Sequence, residues 1–257
     1  MNRRHTILRL VAGTDSLADL YAEHKKVLAL PNETFYEEDI QKDILRTFRA
    51  DSFMEKNGTA AVRNALRALV KFSPIGYIQG QNFLAAAAVY FFKGRLPYMS
   101  FWLLVSLFDN LKHIYILPID ATFAQDGKMF AEDTERIVAL FFRLYKNKRK
   151  ECAITIPMHT VLAIKNMVQW KLLGTLMLAY CKDLRDSKTI LLHFLPNLHD
   201  RTAFRQQASA TALAFLLCCF MDKDVNDEVV LAVQNGALTE QGLFSILQTS
   251  KETASLL

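Results

Sequence analysis

Apolar positions recur at helical spacing along most of this chain. From Ala61 onward, Val62, Ala65, Leu66, Leu69 and Val70 fall on one side of a 3.6-residue repeat, and Arg63, Asn64, Arg67 and Lys71 fall on the other. The pattern predicts an amphipathic helix with a basic outer face. Upstream, Thr34 and Glu37 have capping-box spacing behind Pro31, and Glu37, Glu38 and Asp39 place negative charge in a first turn. A helix is therefore expected from about Phe35 towards Arg46. The run Ser73-Pro74-Ile75-Gly76 breaks the basic-faced helix and an apolar stretch resumes at Phe83, so two helices are joined by a short turn and their ends lie close together. Phe101 to Leu111 is apolar nearly all round, as a core helix is, and Trp102 is too large to leave exposed. Further helices are expected near 129–146, 160–181, 202–220, 227–235 and 239–248. Asn226 and Gly236 supply cap signals at the two ends of the fourth. No repeat of fixed period is present, which argues against a helical solenoid.

Composition narrows this to an all-α fold. Of 257 residues 51% are hydrophobic, enough for a sizeable core, and only 9 Gly and 6 Pro punctuate the chain, too few for a sandwich or barrel with many tight turns. The expected organisation is a single domain, 1–257, of two packed helical lobes, an N-terminal one over about 1–146 and a C-terminal one over about 152–257. The charged segment Lys146–Glu151 marks the boundary between them. A net charge of +5 with 22% charged residues is a modest excess and names no nucleic-acid partner. The densest basic run, Lys146–Lys150, reads as a solvated helix end. The longest apolar runs, Phe83–Phe92 and Thr211–Met221, are about half the ~20 residues that span a bilayer, so they read as core helices. Cys152, Cys181, Cys218 and Cys219 show no CxxC spacing and no signal-peptide pattern precedes them, so they are expected to be reduced thiols of a cytoplasmic protein. His193 and His199 lack the companions of a metal site, and none is assigned. Serine-hydrolase, zincin and P-loop motifs are absent, which removes the commonest hydrolase, zincin and P-loop nucleotide-binding readings.

Two stretches concentrate polar chemistry. In Ile40-Gln-Lys-Asp43-Ile-Leu-Arg46-Thr47-Phe48, Asp43 and Arg46 are three apart and share a helix face, where a carboxylate can aim an exposed guanidinium. Taken alone, the same spacing describes an ordinary surface pair. In Gly76-Tyr77-Ile78-Gln79-Gly80-Gln81-Asn82, two glycines and three side-chain amides stand just before an apolar helix, where backbone N–H groups favour an anion. Taken alone, that stretch also describes a polar turn capped by Asn82.

Together the two stretches resemble the TBC family of Rab GTPase-activating proteins, whose motifs read roughly I-x-x-D-x-x-R-T-x-P and Y-x-Q-G-x-N. The likeness continues through Leu66-Arg-Ala-Leu-Val-Lys-Phe-Ser-Pro, Phe83-Leu-Ala-Ala and Phe101-Trp102, and covers about residues 40–111. Three positions depart from the pattern. Arg49 stands where the first motif has proline, no early Arg-x-x-x-Trp occurs in the first thirty residues, and no Trp-Asp motif occurs around 191–196. The resemblance implies a TBC-like fold and a dual-finger mechanism in trans. Arg46 would neutralise charge on the transferring γ-phosphoryl group of a Rab-family small GTPase, and Gln79 would orient the attacking water. Asp43, Tyr77 and Asn82 would support the two fingers. On this reading the chain has no cofactor of its own, since GTP and magnesium arrive on the partner, and it reaches endomembranes through that partner. The alternative is a catalytically inactive TBC-like module that binds a Rab or a scaffold.

Overall fold

The structure, a computed structural model, describes residues 16–31, 35–115, 121–149 and 156–257, with the backbone alone for 112–115 and 121–130. Among the described residues every regular element is helical and there is no strand. The α-helices are α1 (Leu17–Ala29), α2 (Glu37–Arg46), α3 (Thr59–Phe72), α4 (Gln81–Phe91), α5 (Pro97–Tyr115), α6 (Ala121–Arg149), α7 (Met158–Asn166), α8 (Leu184–Phe194), α9 (Arg201–Phe220), α10 (Asp227–Asn235) and α11 (Glu240–Thr253).

The chain folds into two compact units. The first runs to Lys112 and adds Asp183–Arg201, and the second comprises His113–Lys182 and Thr202–Leu257. A boundary at Lys146–Glu151 does not appear, because Lys146 to Arg149 close α6 within the second unit. There Lys148 pairs with Asp222 at 2.5 Å and Arg149 with Asp224 at 2.6 Å. The basic run is thus partly neutralised by carboxylates of its own unit.

The first unit is built on α3 and α4. On α3 the apolar set Val62, Ala65, Leu66, Leu69 and Val70 is buried, as its spacing predicts, while Asn64 and Arg67 remain exposed. On α4 the run Leu84 to Val89 is buried throughout, and α8 packs against it. Asp51 joins distant parts of this unit. Its carboxylate accepts from Phe53 N–H at 2.9 Å and from Leu184 N–H, at the start of α8, at 3.1 Å.

The amphipathic α2 lies against α3 and is tied to it from its outer side. Arg67 donates through Nε and a terminal nitrogen to the two carboxylate oxygens of Glu37, at 2.9 and 2.7 Å, and Arg63 donates to Gln41. These ties fix the direction of the helix that ends on Arg46. The expected start of α2 near Phe35 moves to Glu37, whose preceding residue Tyr36 makes no side-chain cap bond. Thr34, the other half of the capping box, lies outside the described residues.

Helices α1 and α8 have no counterpart in the periodicity reading, yet both carry caps. Ser16 accepts from Asp19 N–H, and Asp183 accepts from Arg185 N–H and Asp186 N–H. The single helix expected over 160–181 is interrupted. It continues directly from α7 as a wider π-helical segment, Met167–Leu173, and resumes after a break only as a short 3-10 turn, Leu178–Tyr180. Leu176 and Met177 stand between them at φ of 49° and 66°, a left-handed conformation that a right-handed helix cannot contain.

On α1, His24 is buried with its ring 5.0 Å from that of Phe101, and burial lowers its pKa from the ordinary 6.5. A folded-state pKa below the unfolded one means that the neutral imidazole stabilises the fold. That contribution is complete above pH 6.5 and is lost as pH falls through the folded value. Chemical denaturation between pH 7.5 and 5 should show wild-type stability declining more steeply than that of His24→Phe, and identical pH profiles would refute the assignment.

Candidate functional site

The two polar stretches of the sequence meet in the first unit at the C-terminal end of α2 and the N-terminal end of α4. Asp43 sits on the last turn of α2, with 8% of its side chain accessible, and Arg46 follows one turn later with 58% accessible. A terminal nitrogen of Arg46 donates to Asp43 Oδ1 at 2.5 Å, and the Tyr77 hydroxyl donates to Asp43 Oδ2 at 2.6 Å. One buried carboxylate thus holds the exposed guanidinium with one oxygen and a buried phenol with the other. Burial and the adjacent Asp43 carboxylate both raise the Tyr77 pKa above its ordinary value, so the hydroxyl stays protonated and acts as a fixed donor.

A second path leaves Asp43 through the backbone. Thr47 donates from Oγ1 to the Asp43 carbonyl at 2.6 Å, and Asn82 donates from Nδ2 to the same Oγ1 at 2.7 Å. Asn82 Oδ1 in turn accepts from Gly80 N–H at 3.0 Å. Thr47 and Asn82 are both about 1% exposed. The anchor of Arg46 and the turn carrying Gln79 therefore belong to one continuous buried network, and geometry imposed at one end is felt at the other.

Gln79 is exposed, between Ile78 and Gly80. Both flanking N–H groups are occupied, since Gly80 N–H donates to Asn82, and Ile78 N–H donates to Gln81 Oε1 at 3.1 Å. Gln81 N–H closes the same turn onto the Ile78 carbonyl at 3.1 Å. The turn is thus fixed by side chains behind it, leaving the Gln79 amide facing solvent. Gly80 reaches the helix start at φ 107° and caps α4, a backbone shape that glycine accommodates at little cost.

Gly76 opens the loop at φ 78°, and a Cβ there would collide with the hydroxyl and ring of Tyr36. Gly76→Ala should cost about 2–4 kcal/mol from left-handed strain and the collision together, read as a lower urea midpoint. A loss below about 0.5 kcal/mol, the scale of a neutral surface substitution, would show that the Tyr36–Gly76 contact is slack.

Arg49, the departure from the first motif, has a local cause. Phe48 is 7% exposed, meets the ring of Phe83 edge to face at 5.7 Å, and holds φ 45°. A proline at 49 would push its predecessor into extended backbone, so the turn seen here requires another residue at that position. Arg49 itself is exposed.

All five residues singled out by sequence, Asp43, Arg46, Tyr77, Gln79 and Asn82, thus come together, with Arg46 and Gln79 outermost. Two further participants emerge only in the fold. Thr47 is visible as part of the first motif, but its bridging role depends on a contact with Asn82, 35 positions away. Gln81 is visible in the sequence only as one of a cluster of amides. Among the described residues no group of histidine, cysteine, aspartate and glutamate side chains is arranged to hold a metal ion, and no helix is long and apolar enough to cross a membrane.

Residues 18–132 match the family described as the Rab-GTPase-TBC domain. The match spans both polar stretches and also α1, where the early Arg-x-x-x-Trp motif is missing. No curated protein matches the chain.

Proposed function

We propose, from the match of residues 18–132 to the Rab-GTPase-TBC domain family, that this chain accelerates GTP hydrolysis by a Rab-family small GTPase, with Arg46 and Gln79 supplied in trans. The observation that carries the reading is the asymmetry of the network. Its members Asp43, Thr47, Tyr77 and Asn82 are buried, and it holds one exposed guanidinium through Asp43 and, through Asn82 and Gly80 N–H, the turn that carries one exposed amide. A framework built only for stability has no need to hold these two groups outward.

The chemistry suits phosphoryl transfer, in which catalysis is mostly positioning and stabilisation of charge on the phosphoryl oxygens. Arg46 offers a planar, permanently charged set of donors, and its bond to Asp43 uses only some of them. Gln79 can accept a proton of water while donating to an oxygen, which a carboxylate cannot do. Its position beside the first turn of α4 adds the partial positive charge of a helix N-terminus, which favours phosphate nearby. GTP and its magnesium ion belong to the partner, and this chain supplies only the two fingers and their supports.

The test is single-turnover GTP hydrolysis by a panel of Rab GTPases with and without the protein, alongside Arg46→Ala and Gln79→Ala. Acceleration of at least one Rab that both substitutions reduce supports the proposal. Binding to a GTP-loaded Rab with no acceleration would instead assign the chain to the non-catalytic binding modules.

A further inference from the structure

We infer that Gln81 is a positioning residue for the proposed reaction, setting the backbone turn that aims Gln79. The inference rests on the dual-finger reading for its catalytic consequence, but not for its geometry.

The geometry is that of a reciprocal clamp. Gln81 uses its backbone N–H to reach the Ile78 carbonyl and its side-chain Oε1 to receive the Ile78 N–H, both at 3.1 Å. Ile78 is thereby bonded at both of its main-chain polar groups by one residue three positions on. Gln79 and Gly80 are the two residues enclosed, and Gly80 N–H is separately held by Asn82 Oδ1 at 3.0 Å. Two adjacent amide side chains therefore divide the work, Gln81 fixing the near side of Gln79 and Asn82 the far side. Asn82 is also wired to Thr47 and so to the arginine end of the site. Gln81 has no such link, and its bonds stay within the glutamine turn.

The other half of the Gln81 amide marks the position as one shaped by something besides stability. Gln81 is fully buried, and its Nε2 has no hydrogen-bond partner. A buried donor left unmade weakens a fold, and an apolar side chain of similar length would avoid that penalty. An amide is nevertheless present at the second residue after Gln79, where its oxygen is the acceptor that closes the turn. Retaining an acceptor at the expense of an orphaned donor is a local conflict of the kind expected where the backbone is held for function.

The substitution that tests the clamp is Gln81→Met, which preserves length and burial while removing the side-chain acceptor and the orphaned donor together. Three readouts are needed on the intact chain. Thermal unfolding should be unchanged or shifted slightly upward, because the lost bond to Ile78 is offset by removal of the orphaned donor. Amide hydrogen exchange, followed residue by residue by NMR, should quicken at Ile78 and stay unchanged at Gly80, which Asn82 holds. In the single-turnover assay the maximal stimulated rate should fall about 10- to 100-fold, the scale of a misplaced catalytic group, with affinity for the GTP-loaded partner unchanged.

Unchanged exchange at Ile78 overturns the clamp whatever the kinetics show. Faster exchange with an unchanged stimulated rate overturns the positioning role. A parallel loss of melting temperature, affinity and rate also overturns it, because a purely structural residue behaves that way. If the wild-type chain accelerates no Rab while Ile78 still loses protection in the variant, the dual-finger reading is what fails and the clamp on the turn is supported.

Discussion

Replacing Arg46 with alanine should lower the stimulated rate of GTP hydrolysis by about 10³-fold or more, the range in which an arginine finger acts, equivalent to about 4 kcal/mol of barrier. The size follows from where the charge sits. The Arg46 side chain is 58% accessible and its guanidinium is anchored through Asp43, so its direction is set before any partner binds, and little ordering is left for the moment of reaction. Arg46→Lys should resemble the alanine variant more than the wild type, because an ammonium on a flexible stem keeps the charge but loses the planar donor set. Folding should be nearly unaffected, since most of the side chain lies outside the packed interior. Thermal melts of the purified variants, run beside single-turnover phosphate release, separate the two effects. Gln79→Ala supplies the complementary arm. If the fingers act as one unit, Arg46→Ala/Gln79→Ala should be little worse than Arg46→Ala alone. An Arg46→Ala protein that binds its GTPase and stimulates hydrolysis like wild type would remove the arginine from the mechanism.

The fold and the site are legible in the sequence to different depths, and each difference has a physical origin. Helix α3 is readable because one face is buried and the other solvated, so its periodicity survives in the sequence. The interruption after α7 is not. It depends on left-handed backbone at Leu176 and Met177, residues with no intrinsic preference for that conformation, which only tertiary packing can impose. Helices α1 and α8 escape the periodicity although Ser16 and Asp183 occupy cap positions, because a lone cap residue is a weaker signal than a buried stripe. Within the site, the Asp43–Arg46 pair follows from helix spacing alone. The bonds Tyr77 to Asp43 and Asn82 to Thr47 span 34 and 35 positions and leave no trace in periodicity. Family resemblance implies them only as supporting roles, without the bridging hydroxyl of Thr47 that makes the network continuous. The consequence of Arg49 is invisible for the same reason, since nothing in the sequence shows that Phe48 adopts φ 45°.

Asp43 is where stability and the proposed catalysis can be pulled apart, because its two oxygens hold different partners. Asp43→Asn retains one carbonyl oxygen. The Tyr77 hydroxyl is buried and held in its protonated form, so that oxygen should turn towards Tyr77 and leave the new amide nitrogen facing Arg46. Two donors then oppose each other, the guanidinium loses its anchor, and the stimulated rate should fall about 10- to 100-fold while stability changes by only about 1 kcal/mol. Asp43→Ala removes both acceptors. It strands the Tyr77 hydroxyl in the interior and should destabilise by about 1–3 kcal/mol, with a rate no higher than that of Asp43→Asn. Tyr77→Phe completes the comparison, since Asp43 keeps its hold on Arg46 and the rate should fall the least of the three. Urea unfolding and single-turnover hydrolysis on all three proteins give two orderings. Stability should be lowest in Asp43→Ala, and Asp43→Asn should show a large kinetic loss with little loss of fold. If rate merely tracks stability across the series, Asp43 is a framework residue and the direction of Arg46 is set elsewhere. If Asp43→Asn stands apart, the buried carboxylate aims the finger.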